Sequence, residues 1–297
     1  MNVGVVFPQT EIGDDPAIIR DYAIGVEAAG YSHLVAFDHV LGHRPSDQLR
    51  WAEVGPYTDE HAFHEVFVLF GYLAAVTTTL EFATEVLVLP QRQAPLVAKQ
   101  AAELQVLSRG RFRLGIGVGW NPEEYRALGM SFQDRGKRVT EQVEVLRRLW
   151  SEEVVTFKGQ YHSIEASGLR PRPPRPIPIW IGGSSPIVLK RAAEIADGFV
   201  LDHNLAEARA VVGEIKRHLA ENMRAESTFG LSAFLQVQPG VFDVSLEEAR
   251  GWEALGVTHL TINTMNAGIR EPRDHSRSLS PLSVSYTHLT LPTILRV

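Results

Sequence analysis

The sequence contains no cysteine among its 297 residues. Disulfide bonds, thiolate catalysis and cysteine metal sites are therefore excluded, and the composition agrees with a reducing compartment. No apolar run approaches the roughly 18 residues of a membrane span, and the opening MNVGVVFPQT lacks the basic and long apolar regions of a signal peptide. The sequence therefore predicts a soluble protein of the cytoplasm.

Long basic runs are absent as well. The 29 Lys and Arg residues are outnumbered by 35 Asp and Glu, for a formal net charge of −6. The densest basic group, Arg170, Arg172 and Arg175, is local and too small to neutralise a nucleic-acid backbone. We therefore expect neither a nucleic-acid nor a membrane partner, which leaves a small molecule as the expected ligand.

Short apolar runs alternate with helical patterns along most of the chain, as is typical of βα units around a parallel sheet. The runs occupy residues 3–8, 33–40, 80–90, 111–119, 177–183, 198–202, 231–238 and 258–264. Eight strands predict an α/β protein built as one (β/α)8 TIM barrel, a fold that commonly takes about 250 residues.

Two insertions interrupt the pattern. Residues 42–63 follow the second strand, and residues 151–176 precede the fifth, and both are predicted to be loop-like. The second ends in LRPRPPRPIP, which favours an extended path and suits a stiff connector or, alternatively, a ligand for a proline-binding domain.

The end of the sequence does not fit the barrel pattern. A covering helix is expected after the eighth strand, but residues 273–297 lack helical periodicity and are rich in Ser, Thr and Pro. The stretch SVSYTHLTLPTILRV resembles translated adapter sequence. We therefore predict a barrel over residues 1–272 and an irregular, non-native tail over 273–297, with the final helix missing or replaced.

The stretch IPIWIGGSSP reads as a strand that ends in a glycine pair before a helix. Gly182 and Gly183 let a ligand approach the backbone closely, Ser184 or Ser185 can cap the helix, and Pro186 suits its first turn. The backbone N–H groups at such a helix start favour an anion. The same residues also suit a plain helix start, so both interpretations stay open at this point.

In RFRLGIGVGW, apolar side chains alternate with glycines along the fourth strand. The glycines Gly115, Gly117 and Gly119 fall on the face opposite the apolar one, which we expect to line the barrel interior. Either this face leaves room for a planar ring, or large side chains of neighbouring strands pack against the glycines. The spacing of GIGVG does not complete a dinucleotide fingerprint, which disfavours a nicotinamide dehydrogenase.

The second strand ends in Asp38 and His39, at the edge of the barrel where active sites lie. A positioned histidine acts as a general acid or base near neutral pH, although a single histidine in an α/β chain is more often structural. In EHAFHE, His61 and His64 suit a solvated helix start or lid better than a metal site, and we predict no metal. GxSxG is absent, so no serine nucleophile is indicated.

Four segments, taken in order, resemble the bacterial luciferase-like monooxygenase superfamily, in particular its branch that depends on the deazaflavin coenzyme F420. They are VGVVFPQT, GYSHLVAFDHV, TEVLVLPQRQAPLVAKQAAELQVLSRGRFRLGIGVGWNPEEY and IPIWIGGSSP with EIADGFVL. The resemblance runs from Met1 to about Arg270. It implies a (β/α)8 barrel that binds its flavin or deazaflavin at the C-terminal face.

The resemblance also implies roles for single residues. His39 would be the acid or base beside the ring carbon that exchanges hydride. The remaining residues implied to bind the cofactor are Asp38 at the ring, Thr84, Glu85 and Val86 behind it at a bulge that often holds a cis peptide, Gly117 and Gly119 along it, Asn121 at its polar edge, and Gly182, Gly183, Ser184 and Ser185 at the phosphate.

One position departs from the sugar-phosphate dehydrogenases of this family, which carry a glutamate just after the strand-four glycines. This chain has Trp120 there, and Glu123 and Glu124 follow three and four residues later. Trp120 indicates a more apolar or planar substrate, or it packs the pocket wall. The resemblance therefore implies an F420-dependent oxidoreductase acting on a small organic substrate. The alternatives are an FMN-dependent monooxygenase and a non-catalytic ligand-binding barrel, and family analogy alone suggests a homodimer.

Overall fold

The computed structural model describes residues 1–44, 57–237, 246–269, 271–275 and 279. Its strands are β1 (Asn2–Val6), β2 (His33–Ala36), β3 (Glu81–Thr84), β4 (Leu87–Val88), β5 (Phe112–Gly117), β6 (Val155–Lys158), β7 (Ser163–Ser167), β8 (Ile179–Gly182), β9 (Gly198–Leu201), β10 (Gly230–Gln236) and β11 (His259–Asn263). Nine of these strands form one parallel sheet, and β6 and β7 form a separate antiparallel pair.

The sheet closes on itself. The strand order is β3-β2-β1-β11-β10-β9-β8-β5-β4, and β3 also pairs with β5. Phe82 is in register with Phe112, and Ala83 with Arg113, at this closing seam. Because β4 continues the third strand beyond Glu85 and Val86, the barrel has eight strand positions. The predicted (β/α)8 barrel is confirmed, and all eight predicted runs contain a barrel strand.

Helices surround the barrel. They are α1 (Pro16–Ala28), α2 (Val66–Val76), α3 (Ala94–Leu107), α4 (Pro122–Ala127), α5 (Arg135–Ser151), α6 (Pro186–Ile195), α7 (Leu205–Glu221) and α8 (Leu246–Leu255). Pro95 and Pro186 lie in the first turns of α3 and α6, where a missing N–H is tolerated. The longer helices bury apolar side chains, as α3 does with Val97, Ala101 and Leu104.

The predicted loop at residues 151–176 is partly wrong, because it contains the hairpin of β6 and β7. Glu141 of α5 holds the hairpin turn. Its carboxylate accepts hydrogen bonds from the N–H groups of Gln160, Tyr161 and His162 and lies 2.7 Å from the His162 ring. A short exposed hairpin is marginal alone, so this tertiary contact supplies what the local sequence pattern does not show.

The other insertion and the C-terminal segment are described only in part. Residues 42–44 and 57–63 carry no helix or strand, as predicted, and residues 45–56 lie outside the described residues. Residues 274, 275 and 279 are helical, and the buried Leu279 accepts a hydrogen bond from the Tyr31 hydroxyl at 2.9 Å. The boundary at 272 and the non-native tail stay predictions. Among the helices described, none has the length and apolar character to cross a membrane.

Polar side chains meet across the inside of the barrel. Glu85, which follows β3, lies 3.4 Å from Arg113 of β5 and accepts a hydrogen bond from Ser232 of β10 at 3.2 Å. Burial raises the pKa of Glu85, although Arg113 acts in the opposite direction. The guanidinium of Arg113 also stacks on Trp180, 4.1 Å from its ring centroid. Burial and the Arg113 charge hold the pKa of His33 well below its usual value, so this core histidine is neutral.

Glu27 of α1 ties that helix to the start of the third strand. Its carboxylate accepts hydrogen bonds from the N–H groups of Thr78, Thr79 and Leu80. Partial burial alone would raise the pKa of Glu27, but these hydrogen bonds outweigh burial and lower it to about 2.

We expect Glu27→Gln to reduce the free energy of unfolding at pH 7, because it removes the charge that the three N–H groups bind. The reduction should be only about 1 kcal/mol, because solvent screens a part-exposed carboxylate. The stabilisation by the charge is present above the ordinary pKa of 4.5 and is lost as the pH falls towards 2. Urea unfolding from pH 7 to pH 2.5 measures it. The difference between wild type and variant should shrink on acidification, and a constant difference would contradict the assigned cause.

Candidate active site

The C-terminal ends of the barrel strands meet at one rim, and His39 lies there. It follows the end of β2 by three residues, and its side chain is 14% exposed. Tyr57 stacks on the imidazole with ring centroids 3.8 Å apart, while Phe63 and Trp120 present edges at 5.2 and 6.0 Å. His39 therefore lies in an aromatic cage formed by Tyr57, Phe63 and Trp120.

Glu124 of α4 completes the surroundings of His39. It is 1% exposed, and its Oε2 lies 3.4 Å from Nδ1 of His39. Its Oε1 accepts hydrogen bonds from the N–H groups of Val40 and Leu41. Burial alone would raise the pKa of Glu124, but the His39 contact and the two N–H donors outweigh burial and lower it. An ionised carboxylate thus faces the imidazole at neutral pH.

Asp38 has partners other than His39. Its carboxylate accepts hydrogen bonds from the Val88 N–H at 2.9 Å and from Nη2 of Arg92 at 2.6 Å. Nη1 of Arg92 lies 3.4 Å from Glu65, the N-cap of α2. Burial alone would lower the pKa of Arg92, but the two carboxylates raise it, so the guanidinium keeps its charge. In this conformation Asp38 anchors the end of β2.

Val86 and two glycines form the floor of the rim. A Cβ atom added at Gly117 would lie 2.5 Å from Cγ2 of Val86, and one added at Gly182 would lie 2.9 Å from its Cγ1. The Val86 side chain therefore occupies the space that these glycines leave open, between β5 and β8. The peptide bond between Glu85 and Val86 is cis. Of the two possibilities for the glycine face, the structure shows close packing by a neighbouring strand.

Three other predicted residues have partners of their own. Thr84 donates its hydroxyl hydrogen to the carbonyl of Gly115 at 2.7 Å, and Glu85 points into the barrel interior. Asn121 is the N-cap of α4, and its Nδ2 donates to the Tyr57 hydroxyl at 3.3 Å. Thr84 and Glu85 thus support the floor from inside, whereas Asn121 positions α4 and one ring of the aromatic cage.

The stretch after β8 begins α6. Gly183 has φ +144°, and Ser184 and Ser185 are exposed. Ser185 is the N-cap residue, yet its hydroxyl makes no capping hydrogen bond. Ser184 and Ser185 are thus exposed at this end of α6, and Gly182 connects them to the Val86 floor.

The histidines of EHAFHE have separate partners. His61 accepts a hydrogen bond from the Thr58 N–H at 2.9 Å, and His64 lies 3.0 Å from the Gly13 carbonyl. Within the described ranges, no three His, Asp or Glu side chains cluster so as to hold a metal ion.

Sequence reasoning missed Glu124, Tyr57 and Arg92. In the sequence, Glu124 stands out only by its spacing from Trp120. Its helix, α4, has too few residues to show a periodic pattern. Tyr57 lies in the insertion after the second strand, in a described stretch without helix or strand, where a sequence pattern does not fix a side chain's neighbours. For Arg92 the sequence does offer a signal: a cationic side chain follows the third strand, and the neighbouring second strand ends in the acidic residue Asp38.

The protein is a closed (β/α)8 barrel, and a histidine paired with a carboxylate lies among aromatic rings at its C-terminal rim. This arrangement is typical of barrel enzymes. The sequence profile described as luciferase-like monooxygenase matches residues 1–258. The chain therefore belongs to the luciferase-like monooxygenase family, which confirms the predicted resemblance.

Similar proteins include an uncharacterized protein of Mycobacterium tuberculosis, which is 33% identical over 294 residues, with 96% of each chain covered. The F420-dependent glucose-6-phosphate dehydrogenase of Kineococcus radiotolerans is 32% identical over 195 residues, covering 62% of this chain and 52% of that enzyme. This chain thus matches about half of that dehydrogenase.

Two solved structures share the fold. The coenzyme F420 dependent tetrahydromethanopterin reductase from Methanopyrus kandleri superposes with a TM-score of 0.74 at 15% identity, covering 95% of this chain and 97% of that one. The monooxygenase RslO1 from Streptomyces bottropensis gives 0.75 at 18% identity, covering 97% and 100%. At these identities the likeness concerns the fold.

The packing of Val86 against the glycines can be tested by a double-mutant cycle. We expect Gly117→Ala to lower the free energy of unfolding by about 1–3 kcal/mol, because the new methyl group overlaps Val86. In a Val86→Ala background the same substitution should cost at least about 1 kcal/mol less. Urea unfolding of the four proteins measures the coupling.

Gly213→Ala is the matched control, because a Cβ at this position in α7 meets no atom within 4 Å. It should be neutral or stabilising by up to about 1 kcal/mol, as expected for glycine in a helix interior. Additive effects of Gly117→Ala and Val86→Ala would show that the two side chains do not compete for space.

Proposed function

We propose that this protein is an F420-dependent oxidoreductase that moves hydride between the deazaflavin and a small organic substrate, with His39 as the acid or base. The observation that carries the proposal is the position of His39 at the rim, paired with Glu124 and enclosed by Tyr57, Phe63 and Trp120. The relatives named as F420-dependent enzymes support the choice of cofactor.

The residues at the rim fit a flat cofactor with a phosphate. The Val86 side chain fills the space beside Gly117 and Gly182 and presents an apolar floor to a flat ring. At its edge, Ser184 and Ser185 offer hydroxyl donors at the start of α6, where the helix dipole favours an anion. We therefore assign the ring to the floor and the phosphate to residues 182–185.

The remaining predicted residues take supporting roles in this proposal. Thr84 and Glu85 hold the third strand in place behind Val86, and Asp38 holds the end of β2 through Arg92. Gly119, with φ +64°, turns the chain from β5 towards Trp120. Asn121 keeps Tyr57 against His39.

The cofactor supplies hydride chemistry, and the protein positions the reactants, excludes water and handles one proton. His39 gives that proton to an activated double bond or carbonyl, or takes it from an alcohol in the opposite direction. Trp120 is 42% exposed beside His39, so it offers an aromatic wall to the substrate. The proposed substrate is therefore apolar or planar, and sugar-phosphate oxidation is not carried over from the relatives.

We expect the purified protein to bind the deazaflavin coenzyme more tightly than FMN in fluorescence titrations at equal salt and pH. Ser185→Asp should weaken deazaflavin binding by about tenfold or more, because it places a negative charge beside the phosphate. Ser227→Asp, on the opposite face of the barrel, is the control and should leave binding unchanged. Preference for FMN would favour the monooxygenase alternative, and binding of neither would contradict a flavin-type enzyme.

We expect His39→Ala to reduce turnover by about 10² to 10⁴ while deazaflavin binding is retained, because the proton donor is lost and the floor is untouched. Turnover is followed by deazaflavin absorbance with substrates from a screen of ketones, alcohols and activated alkenes. His162→Ala, which alters a histidine on the hairpin, should keep wild-type turnover. Equal turnover in wild type and His39→Ala would exclude the acid or base role.

A further inference from the structure

The carboxylate of Glu124 makes two kinds of contact at once. Oε1 binds the chain after His39 through the N–H groups of Val40 and Leu41, and Oε2 faces Nδ1 of His39. At 1% exposure Glu124 has little access to solvent. The same side chain thus fixes both the backbone that carries the imidazole and one of the two ring nitrogens.

An ionised carboxylate accepts hydrogen bonds and donates none. The nitrogen that faces it must therefore carry a proton, because two lone pairs would otherwise oppose each other. A neutral imidazole has one N–H, so placing it at Nδ1 leaves Nε2 with the free lone pair.

The other groups around His39 do not compete for its proton. Tyr57, Phe63 and Trp120 contact it through ring faces and edges, and burial raises the pKa of the Tyr57 phenol, which stays neutral. Asp38 is turned towards Arg92. Within the part of the chain that the structure describes, Glu124 is the charged side chain that pairs with His39.

We propose that Glu124 is the positioning residue of His39, holding the imidazole as the Nδ1–H tautomer so that Nε2 is the atom that exchanges a proton with the substrate. The exchange itself rests on the proposed function, whereas the tautomer does not. In the alcohol-oxidising direction Nε2 would take the hydroxyl proton, the bound cofactor would supply the hydride acceptor, and Glu124 would pair with the imidazolium formed.

The test is the tautomer of His39, read from ¹⁵N chemical shifts and long-range ¹⁵N–¹H couplings of protein labelled in histidine, with the signal assigned by its loss in His39→Ala. Spectra are recorded at a pH where the ring is neutral. Wild type should show Nδ1–H. An Nε2–H ring in wild type would overturn the proposal whether or not any variant folds.

Glu124→Gln keeps the shape and one acceptor oxygen. That oxygen is retained by the N–H groups of Val40 and Leu41, so the amide NH₂ faces Nδ1 and the ring should change to the Nε2–H tautomer. Glu123→Gln is the matched control, because the neighbouring carboxylate pairs with Arg126 instead, and it should leave the tautomer unchanged. A folded Glu124→Gln protein that keeps Nδ1–H would overturn the proposal.

Turnover separates this inference from the proposed function. Glu124→Gln should lower kcat by about 10²-fold with deazaflavin binding retained, because a misdirected ring misses its partner atom. If wild type has the Nδ1–H tautomer but binds no deazaflavin, the proposed function fails and the tautomer assignment stands. If deazaflavin binds and turnover is unaffected by Glu124→Gln, the positioning role fails while the function stands.

Discussion

The closing seam of the barrel, where β3 pairs with β5, sets the geometry of the rim. The third strand must complete the cylinder and then continue as β4, and between the two it passes through Glu85 and Val86. One side chain enters the polar interior beside Arg113, and the next packs against Gly117 and Gly182. Two adjacent residues thus connect the inside of the barrel to the floor on which the proposed cofactor rests.

The sequence predicted the barrel well because the strands are short, apolar and regularly separated by helices, and this pattern depends on local periodicity alone. The hairpin of β6 and β7 was missed because its stability depends on Glu141, a residue of α5. Contacts made by a residue far away in sequence leave no trace in the pattern of the segment itself.

The partners of the side chains at the candidate site are harder to predict for the same physical reason, and the roles assigned to these residues stay predictions. His39, Trp120 and the glycines could be placed at the rim, since strand ends determine their position. The direction of a polar side chain depends on its partners, however, and those come from other strands and helices. Asp38 is bound by Arg92, Glu85 by Arg113, and Asn121 both caps its own helix and donates to Tyr57.

Arg92 has an architectural consequence for the segment between Asp38 and Glu65. One guanidinium binds the residue before that segment and the residue after it, so both ends are held at a fixed separation. The arginine thus fixes the two points where this segment leaves and rejoins the barrel, and with them the stretches that carry His39 near one end and Tyr57 and Phe63 near the other.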